Sequence, residues 1–580
     1  MKRHILPLLL VICLLLPGCR STQETASSES ADFQAFTDEL FRSYVTSDSL
    51  TLNYTLSSPE KYGITELPKG FPSFPKNAER QTMSATENTQ AHLQQFDRDS
   101  LSFSDKLLYD CLSASLKQDL EESAYTGYSY CFDPTSGIQA QLPVLLGEFL
   151  FDDRNDIEQY FALIHSLPDY FSSLLSLEKE KTNQGTLPSQ TTLQNTIAQC
   201  RQFIENSSGT AAIRNRFRES MAKLSFLSEK DRAAYEKKLE TDLQTYLLPA
   251  YRSLIAGLEK LVPAAPKDGA IASYPKGKAY YALLLKRKTG TDLSPEQLET
   301  ELTKNLTAAE ENLLSIAARN PAAFTSCESY LAPYTDPKQT LLTLRKKTLN
   351  DFPSLGGQIC HIRYVDSSLE NYLCPAFYLT PPIDEPAANI IYINHSPRYR
   401  HSSLFNTLAH EGYPGHLYQN CYMRQTNHRP LRYVLNFPGY TEGYATYVEI
   451  YSYQYLGAPK EETQILQNNA ISTHCIYALC DLGIHYNHWS KKKLRSFLQS
   501  HGINGEDSTN NIYQNIIDSP GSYLPYTVGY LEIQKLKDEF HKAAGSAYTD
   551  ELFHNWLLDA GPAPCAVLRH SIPLWLAEKT

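Results

Sequence analysis

Residues 410–416 read HEGYPGH, and residues 439–449 read GYTEGYATYVE. The first segment supplies two imidazoles and a carboxylate, and the second brings another carboxylate, that of Glu442, 26 residues after His416. Neutral imidazole and carboxylate are ligands that zinc prefers, and a catalytic zinc takes three of them while its fourth position stays open for water. The two segments therefore predict a zinc site at the centre of the fold.

The spacing of the two histidines requires a distorted helix. In the common zinc-peptidase signature the histidines are four residues apart on one helical face, whereas here they are six apart. Six steps of an undisturbed helix turn about 240° and would direct His416 away from His410. Pro414 and Gly415 lie in the gap, where proline removes a backbone donor and glycine tolerates unusual angles. We predict a break or bulge between the histidines.

The remaining site roles follow from position. Glu411 directly follows the first histidine and is predicted to act as general base on a zinc-bound water, whose pKa the metal lowers to about 7. Glu442 begins the helical run EGYATYVE and is the predicted third ligand, with His410 and His416 as the other two. Glu449 lies two turns later on the same face, where it is predicted to orient a ligand histidine by accepting its second ring proton.

The alternative interpretation is structural. Both histidines could belong to the surface or core of a helical domain, with Glu442 and Glu449 on a solvated face. The apolar lead-in LFNTLAH, residues 404–410, favours the metal site because it buries the helix, and buried histidine and glutamate need partners. A set of imidazoles and carboxylates accepts several divalent ions, so zinc is the first expectation among them.

At these residues the chain resembles the bacterial family known as domain of unknown function 885, whose members carry an HE-x-YPGH segment followed by an EGWALYAE-like segment. Further matching segments are LPDYFSSLLSLEKEKTNQGTLPS (167–189), YYALLLKRKTGTDLSPEQL (280–298), DLGIHYNHWS (481–490), SPGSYLPYTVG (519–529) and FHNWLLDAGPAP (553–564). The resemblance implies a mainly α-helical, gluzincin-like metallopeptidase body with the helix of His410 at its centre. Two departures are Leu417, where a second histidine is expected, and PGSY, where PGQA is expected.

The first 19 residues read as a lipoprotein signal peptide. A positively charged start precedes an apolar core at 5–16, which is too short to span a bilayer, and the segment ends in Leu16-Pro17-Gly18-Cys19. We predict a lipid on Cys19, a disordered tether over 20–32, and a position on the extracytoplasmic face of a bacterial membrane. An ordinary signal peptide that happens to contain this cysteine is the alternative.

Net charge and helix-breaking residues indicate the partners and the domain organisation of the mature chain. The net charge of −11 and the lack of a basic run argue against nucleic acid as a partner. Helical patterns predict an N-terminal subdomain over 33–262 and, after a Pro- and Gly-containing boundary, a catalytic helical subdomain over 279–577.

Ten cysteines remain in the mature body. Cys360 and Cys374 are close enough in sequence for a disulfide between them to close a short loop, and unpaired thiols are the alternative.

Residues 359–395 change to β-branched and aromatic runs and predict a small sheet beside the zinc helix. The run IIYIN, residues 390–394, is our candidate for an edge strand that binds extended substrate by strand addition, with Asn394 as a substrate-binding residue. A purely structural edge strand is an equally good interpretation of the same pattern.

Four more polar residues enter the predicted site. Asp481 and His485 are four apart on a helical pattern and are predicted to hydrogen-bond, which would give an oriented catalytic imidazole. Tyr526 is placed like a tyrosine of the family that the chain resembles, and the resemblance implies that its hydroxyl donates to the oxyanion formed on the attacked carbonyl. Arg569 is predicted to hold a substrate carboxylate. Each of them could instead be a core residue with structural partners.

These patterns together predict a zinc-dependent peptidase that acts on short or unfolded peptides outside the cytoplasm. Two alternatives remain open at this stage: a peptide- or solute-binding lipoprotein without catalysis, and a metal-dependent hydrolase of a non-peptide amide or ester. The oligomeric state is not indicated by any sequence feature.

Overall fold

The computed structural model describes residues 26–74, 78–205, 209–357, 360–365, 370, 374–385, 389–399 and 403–579. The signal segment and Cys19 lie outside the described residues. The helices are α1 (Ala26–Val45), α2 (Ser49–Thr55), α3 (Ala78–Leu93), α4 (Phe103–Glu122), α5 (Ile138–Gly147), α6 (Arg154–Gln184), α7 (Gln190–Glu205), α8 (Ala211–Lys223), α9 (Glu229–Asp242), α10 (Leu248–Glu259), α11 (Gly277–Thr289), α12 (Pro295–Arg319), α13 (Pro321–Ser326), α14 (Pro337–Thr348), α15 (Leu404–Glu411), α16 (His416–Thr426), α17 (Pro438–Ser452), α18 (Lys460–His485), α19 (Lys491–Ser500), α20 (Glu506–Asp518), α21 (Leu524–Ala544), α22 (Asp550–Ala560) and α23 (Cys565–Lys579). The strands are β1 (Cys360–Tyr364), β2 (Ala376–Leu379) and β3 (Asn389–Ile393).

The predicted mainly α architecture with a small sheet is confirmed. Its buried apolar side chains form two large clusters, one within residues 50–265 and one that runs from Ala270 to Trp575. The second cluster also takes in Leu107 and Cys111 of α4. The N-terminal helices therefore pack onto the later part of the chain, which holds HEGYPGH, as well as around a core of their own. Among the described helices, none is long and apolar enough to cross a membrane.

Helix α1 begins at Ala26, inside the segment 20–32 that was predicted as a disordered tether. Its first turns have partners elsewhere in the chain: the Glu29 carboxylate accepts a hydrogen bond from the main-chain N–H of Asp97, and the Ser30 hydroxyl donates to Asp105. These contacts order residues whose composition alone predicted a tether. The structured body thus starts earlier than the apolar pattern indicated.

The sheet has the strand order β1-β3-β2, with β3 parallel to β1 and antiparallel to β2. The prediction that residues 390–394 form an edge strand is therefore wrong, because β3 is paired on both sides. Asn394 is buried, and its side chain donates to the carbonyl of Glu370 and accepts from the N–H of Ser396. Its amide thus has partners within the protein. The strand beside α15 is β2, where the N–H of Tyr378 donates to Glu411 over 2.9 Å.

The cysteines of the described chain are free thiols. Cys374 donates to the carbonyl of Ala376 over 3.1 Å, and Cys360 lies 3.8 Å from the carbonyl of His361. The suggested pair of Cys360 and Cys374 is therefore not formed, and the alternative of unpaired thiols holds.

Helices α17 and α21 approach each other through glycines. A Cβ added to Gly443 would lie 2.4 Å from the carbonyl carbon of Gly529, and one added to Gly529 would lie 2.0 Å from the carbonyl oxygen of Gly439. No side chain fits between backbones this close. The crossing places Glu442 of α17 near Tyr526 of α21, one turn before Gly529.

We expect Gly529→Ala to lower the free energy of unfolding by about 3 kcal/mol, the upper end of the usual range for overpacking, because the obstructing atoms are backbone and cannot rotate away. Urea denaturation measures this change. Gly356→Ala is the matched control, since a Cβ there would meet no heavy atom within 4 Å. Equal stability of the two variants would contradict the close crossing.

Candidate metal centre

The helix that carries His410 is broken where the sequence predicts a break. Helix α15 ends at Glu411, and α16 starts at His416. The intervening turn brings the second imidazole back towards the first, so that the two ring centroids lie 4.8 Å apart with nearly perpendicular planes. An uninterrupted helix would have separated them.

The turn is held by close backbone packing. A Cβ added to Gly415 would lie 1.7 Å from the carbonyl oxygen of His410, so only glycine fits at this position. The peptide bond between Tyr413 and Pro414 is cis. The hydroxyl of Tyr444 on α17 donates to the carbonyl of Pro414 over 2.9 Å. The EGYATYVE segment thus fastens the turn as well as supplying carboxylates.

The side chains of four residues lie close together: His410, Glu411, His416 and Glu442. Oε2 of Glu442 lies 3.7 Å from Nε2 of His410 and 3.5 Å from Nε2 of His416. Ligands about 2.0–2.1 Å from a tetrahedral zinc are about 3.3 Å from one another, so these spacings fit a common ion closely. Potential ligand atoms of His410, Glu411 and His416 also lie within 4.8 Å of one another.

Glu442 and Glu411 compete for the role of third ligand. Oε2 of Glu442 is within 3.7 Å of both imidazole nitrogens, whereas Oε2 of Glu411 is engaged by the N–H of Tyr378. Glu442 is therefore the better placed of the two to share an ion with both imidazoles. The roles predicted for Glu442 as a ligand and for Glu411 as the general base stay predictions.

Buried carboxylates dominate the electrostatics of the site. Nδ1 of His410 lies 3.1 Å from Oε2 of Glu449, the contact predicted to orient this ring. Burial lowers the pKa of His410, but the hydrogen bonds to Glu442 and Glu449 outweigh it and raise the pKa to about 10. Three carboxylates around two imidazoles favour a cation at their centre, because a buried negative cluster is costly without one.

Tyr526 lies beside this cluster. Its ring centroid is 6.0 Å from that of His410, with the planes tilted by 24°. The negative charge of Glu442, followed by burial, raises the pKa of the Tyr526 hydroxyl well above its ordinary value, and the hydroxyl hydrogen-bonds to that carboxylate. Tyr526 therefore remains a protonated donor next to the proposed ligands.

His474 on α18 is a candidate that sequence reasoning missed. It is only partly buried, and its ring has no hydrogen-bond partner among the described residues. Burial lowers the pKa of His474, and the charges of Glu449 and His410 act on it as well, which places it near these two residues. His474 stands alone in the sequence of its helix, so no motif singled it out. The one available signal was its spacing of 11 residues, three turns, from His485, which puts both histidines on one face of α18.

The structure does not bring His485 into the site. Its Nε2 donates to the carbonyl of Ile516 over 2.9 Å, and its Nδ1 accepts from the N–H of Ile271 over 3.2 Å. Burial lowers its pKa to about 4, so the ring is neutral. The catalytic role predicted for it is wrong, because main-chain groups occupy both ring nitrogens.

Asp481 also has partners other than those predicted. Its two carboxylate oxygens accept hydrogen bonds from the hydroxyl of Tyr281 and from the N–H of Gly521. The predicted bond to His485 is therefore absent. Asp481 thus fixes the SPGSY turn that leads into α21 and Tyr526.

Arg569 on α23 does not face a substrate site. Its Nε donates to both oxygens of Glu539 over 2.8 and 3.0 Å, and its Nη2 lies 3.3 Å from Glu532, both on α21. The prediction that it binds a substrate carboxylate is wrong, because two carboxylates of the protein already engage its guanidinium. The side chain instead fastens α23 to α21.

We expect Asp481→Asn to change how stability depends on pH. Burial raises the pKa of Asp481 to about 7, although the hydrogen bonds from Tyr281 and Gly521 act in the opposite direction. The folded state therefore holds a proton that the unfolded chain, with its pKa of about 3.9, releases, so this group lowers stability as the pH rises from about 4 to 7. Urea unfolding at pH 4.5 and 7.5 should show that the variant loses less stability than the wild type.

Asp507→Asn is the control, since Asp507 is exposed. If the difference in unfolding free energy between Asp481→Asn and the wild type is the same at both pH values, Asp481 does not titrate in this window.

Comparisons with known proteins agree with this architecture. The crystal structure of a "putative lipoprotein" from Colwellia psychrerythraea superposes with a TM-score of 0.81 at 18% identity, over 96% of this chain and 100% of that chain. A "putative lipoprotein of unknown function" from Shewanella oneidensis gives a TM-score of 0.65 at 15% identity, again over 96% and 100%. At such identities the likeness shows the fold alone.

No curated protein matches this chain. The model of a family described as "Bacterial protein of unknown function (DUF885)" matches residues 62–572. This range contains both the HEGYPGH and the EGYATYVE segments on which the resemblance was recognised. The protein is therefore a member of the DUF885 family.

Proposed function

We propose that this protein is a zinc-dependent peptidase that cleaves short or unfolded peptides outside the cytoplasm. The observation that carries the proposal is the convergence of Glu442 Oε2 on the two Nε2 atoms of His410 and His416, at 3.7 and 3.5 Å, with a second glutamate directly beside them. Buried imidazoles and carboxylates in this geometry suit a divalent ion better than they suit one another.

His410, His416 and Glu442 would hold the ion. Once bound, zinc lowers the pKa of a water ligand to about 7 and polarises a carbonyl. Glu411 is positioned to remove the proton from the attacking water. Its Oε2 is fixed by the N–H of Tyr378, and its Oε1 has no partner among the described residues, so the side chain is held in place with one oxygen available.

Two neighbours support the reaction. Tyr526 keeps its proton, because the charge of Glu442 raises its pKa, and it can donate a hydrogen bond to the oxyanion that develops on the attacked carbonyl. Glu449 orients His410 through Nδ1, which leaves Nε2 facing the ion. The pair of a histidine and a glutamate ending one helix, with a ligand glutamate on a second, underlies our proposal of a gluzincin-like site.

The substrate class rests on where the site lies. His410 and Glu442 expose only 13% and 8% of their side chains, and Glu411 and Tyr526 are only partly accessible. A folded protein cannot present a peptide bond this far inside a helical body, whereas a short or unfolded peptide can. The net charge of −11 argues against nucleic acid.

We also propose that the protein is lipid-anchored. Residues 16–19 read LPGC after a short apolar core, as a lipoprotein signal does. Both similar structures are described with the words "putative lipoprotein". Labelling of the cells with a fatty-acid analogue tests the anchor, and Cys19→Ser should abolish the labelling.

We expect His410→Ala to lower the zinc content of purified protein from one ion per chain to well below one, because one of three ligands is lost. Metal analysis by mass spectrometry measures this. His570→Ala is the matched control, since His570 is exposed and far from HEGYPGH in the chain. Full zinc occupancy in His410→Ala would remove this residue from the ligand set.

We expect Glu411→Gln to retain zinc and to lower turnover by about 10²–10⁴, the range for loss of a general base. The amide still accepts from the N–H of Tyr378 but cannot take a proton. Glu311→Gln, at an exposed position, is the control. Normal peptide turnover in Glu411→Gln would overturn the assigned mechanism.

Incubation with a mixed peptide library, with products identified by mass spectrometry, tests the function as a whole. Zinc-dependent cleavage supports the peptidase. Tight peptide binding without cleavage supports a binding lipoprotein instead, and zinc-dependent hydrolysis restricted to esters or non-peptide amides supports a different hydrolase.

A further inference from the structure

Three consecutive basic residues end helix α11, and only the third has no partner. Lys286 lies 3.6 Å from Asp292. Arg287 pairs with Glu122 at 2.9 Å and also with Asp119. The ammonium of Lys288 has no ion pair and no hydrogen bond among the described residues.

The unpaired state of Lys288 is unusual for an interior cation. Lys181, which is buried, bonds to Glu178 over 2.7 Å, and the buried Arg432 donates to the carbonyls of Ala560 and Pro562. Burial lowers the pKa of Lys288, yet part of its side chain stays accessible. An interior charge that has no protein partner, on a residue that solvent still reaches, can take an anionic ligand.

The carboxylates that act on Lys288 are already engaged. Asp133, Asp481, Glu122 and Glu442 all influence its pKa. Asp133 caps residues 135 and 136, Asp481 accepts from Tyr281 and Gly521, and Glu122 binds Arg287. Glu442 belongs to the proposed zinc site. None of them is shown within ion-pair distance of the ammonium.

The end of α11, where Lys288 lies, packs against α17 and against the turn before α21. The carbonyl oxygen of its neighbour Thr289 would lie 1.9 Å from a Cβ added to Gly439, which is one turn before Glu442 on α17. The Cγ of Lys288 would lie 3.5 Å from a Cβ added to Gly521, in the turn that leads to Tyr526. The end of α11 thus abuts both segments that carry the proposed ligand Glu442 and the proposed oxyanion donor.

We propose that the ammonium of Lys288 binds the free C-terminal carboxylate of a short peptide substrate and so sets the direction in which the peptide enters the site. The carboxylates of Glu411, Glu442 and Glu449 would otherwise repel a carboxylate, and the ammonium of Lys288 forms no ion pair or hydrogen bond among the described residues. This inference rests on the peptidase proposed above. It makes Lys288 a specificity-determining residue and leaves the bond-breaking groups unchanged.

The test compares one peptide as its free acid and as its C-terminal amide. The wild type should cleave the free acid with the lower KM. Lys288→Met keeps the aliphatic stem against Gly521 and removes the charge. It should raise the KM of the free acid about tenfold to a hundredfold, the range for losing a hydrogen bond to a charged group, and leave the amide unchanged. Lys286→Met is the control and should change neither, since Lys286 is 42% exposed and lies 3.6 Å from Asp292.

A third peptide separates the two sources of carboxylate. It carries a C-terminal amide after a glutamate, so its only carboxylate near that end is a side chain. If it behaves like the amide, the terminal carboxylate is the group that is bound. If it behaves like the free acid and depends on Lys288, the proposed source is wrong.

Two results would overturn the inference while leaving the peptidase intact: equal KM values of acid and amide in the wild type, or an equal loss on both peptides in Lys288→Met. The first needs no variant, so it decides even if Lys288→Met fails to fold. Calorimetric binding of both peptides to Glu411→Gln separates the two proposals. If no cleavage is found anywhere but acid binding is stronger and requires Lys288, the inference holds and the peptidase fails.

Discussion

The break between α15 and α16 is the constraint on which the site depends. Two histidines six residues apart can face one point only if the helix is interrupted between them. The interruption requires Gly415, whose missing side chain lets the backbone pack on the carbonyl of His410. Tyr444 ties the turn to α17, the helix that also carries Glu442 and Glu449. Helix α17 thus both holds the turn between α15 and α16 and supplies two carboxylates beside the histidines.

A second close approach extends this arrangement to the rest of the body. Gly443 and Gly529 allow α17 and α21 to touch backbone to backbone, which sets Tyr526 beside the cluster. Outside this contact, Asp481 holds the turn before α21, and the end of α11 packs against the same helices. Close approaches between backbones thus set α21 and the end of α11 against α17, the helix that carries Glu442 and Glu449.

The sequence predicted the features that depend on neighbouring residues along the chain. Pro414 and Gly415 indicated the break, and the seven-residue spacing of Glu442 and Glu449 indicated one helical face. Long-range packing was not accessible: Asp481 and His485 do share a face of α18, but the spacing says nothing about which groups oppose them. The run at 390–394 is apolar almost throughout, which is typical of a central strand. Arg569 has ion-pair partners from another helix, whereas Lys288 and the ring of His474 have none among the described residues. Such partners come from residues far away in the sequence, so no local pattern predicts them.

The central claim is that His410, His416 and Glu442 bind a single ion. A crystal structure of the purified protein, with anomalous diffraction recorded on both sides of the zinc absorption edge, tests it most directly. The account predicts one anomalous peak about 2.0–2.2 Å from both Nε2 atoms and from a Glu442 oxygen. A fully ordered site with zinc supplied and no peak there, or a peak held by other residues, would contradict it.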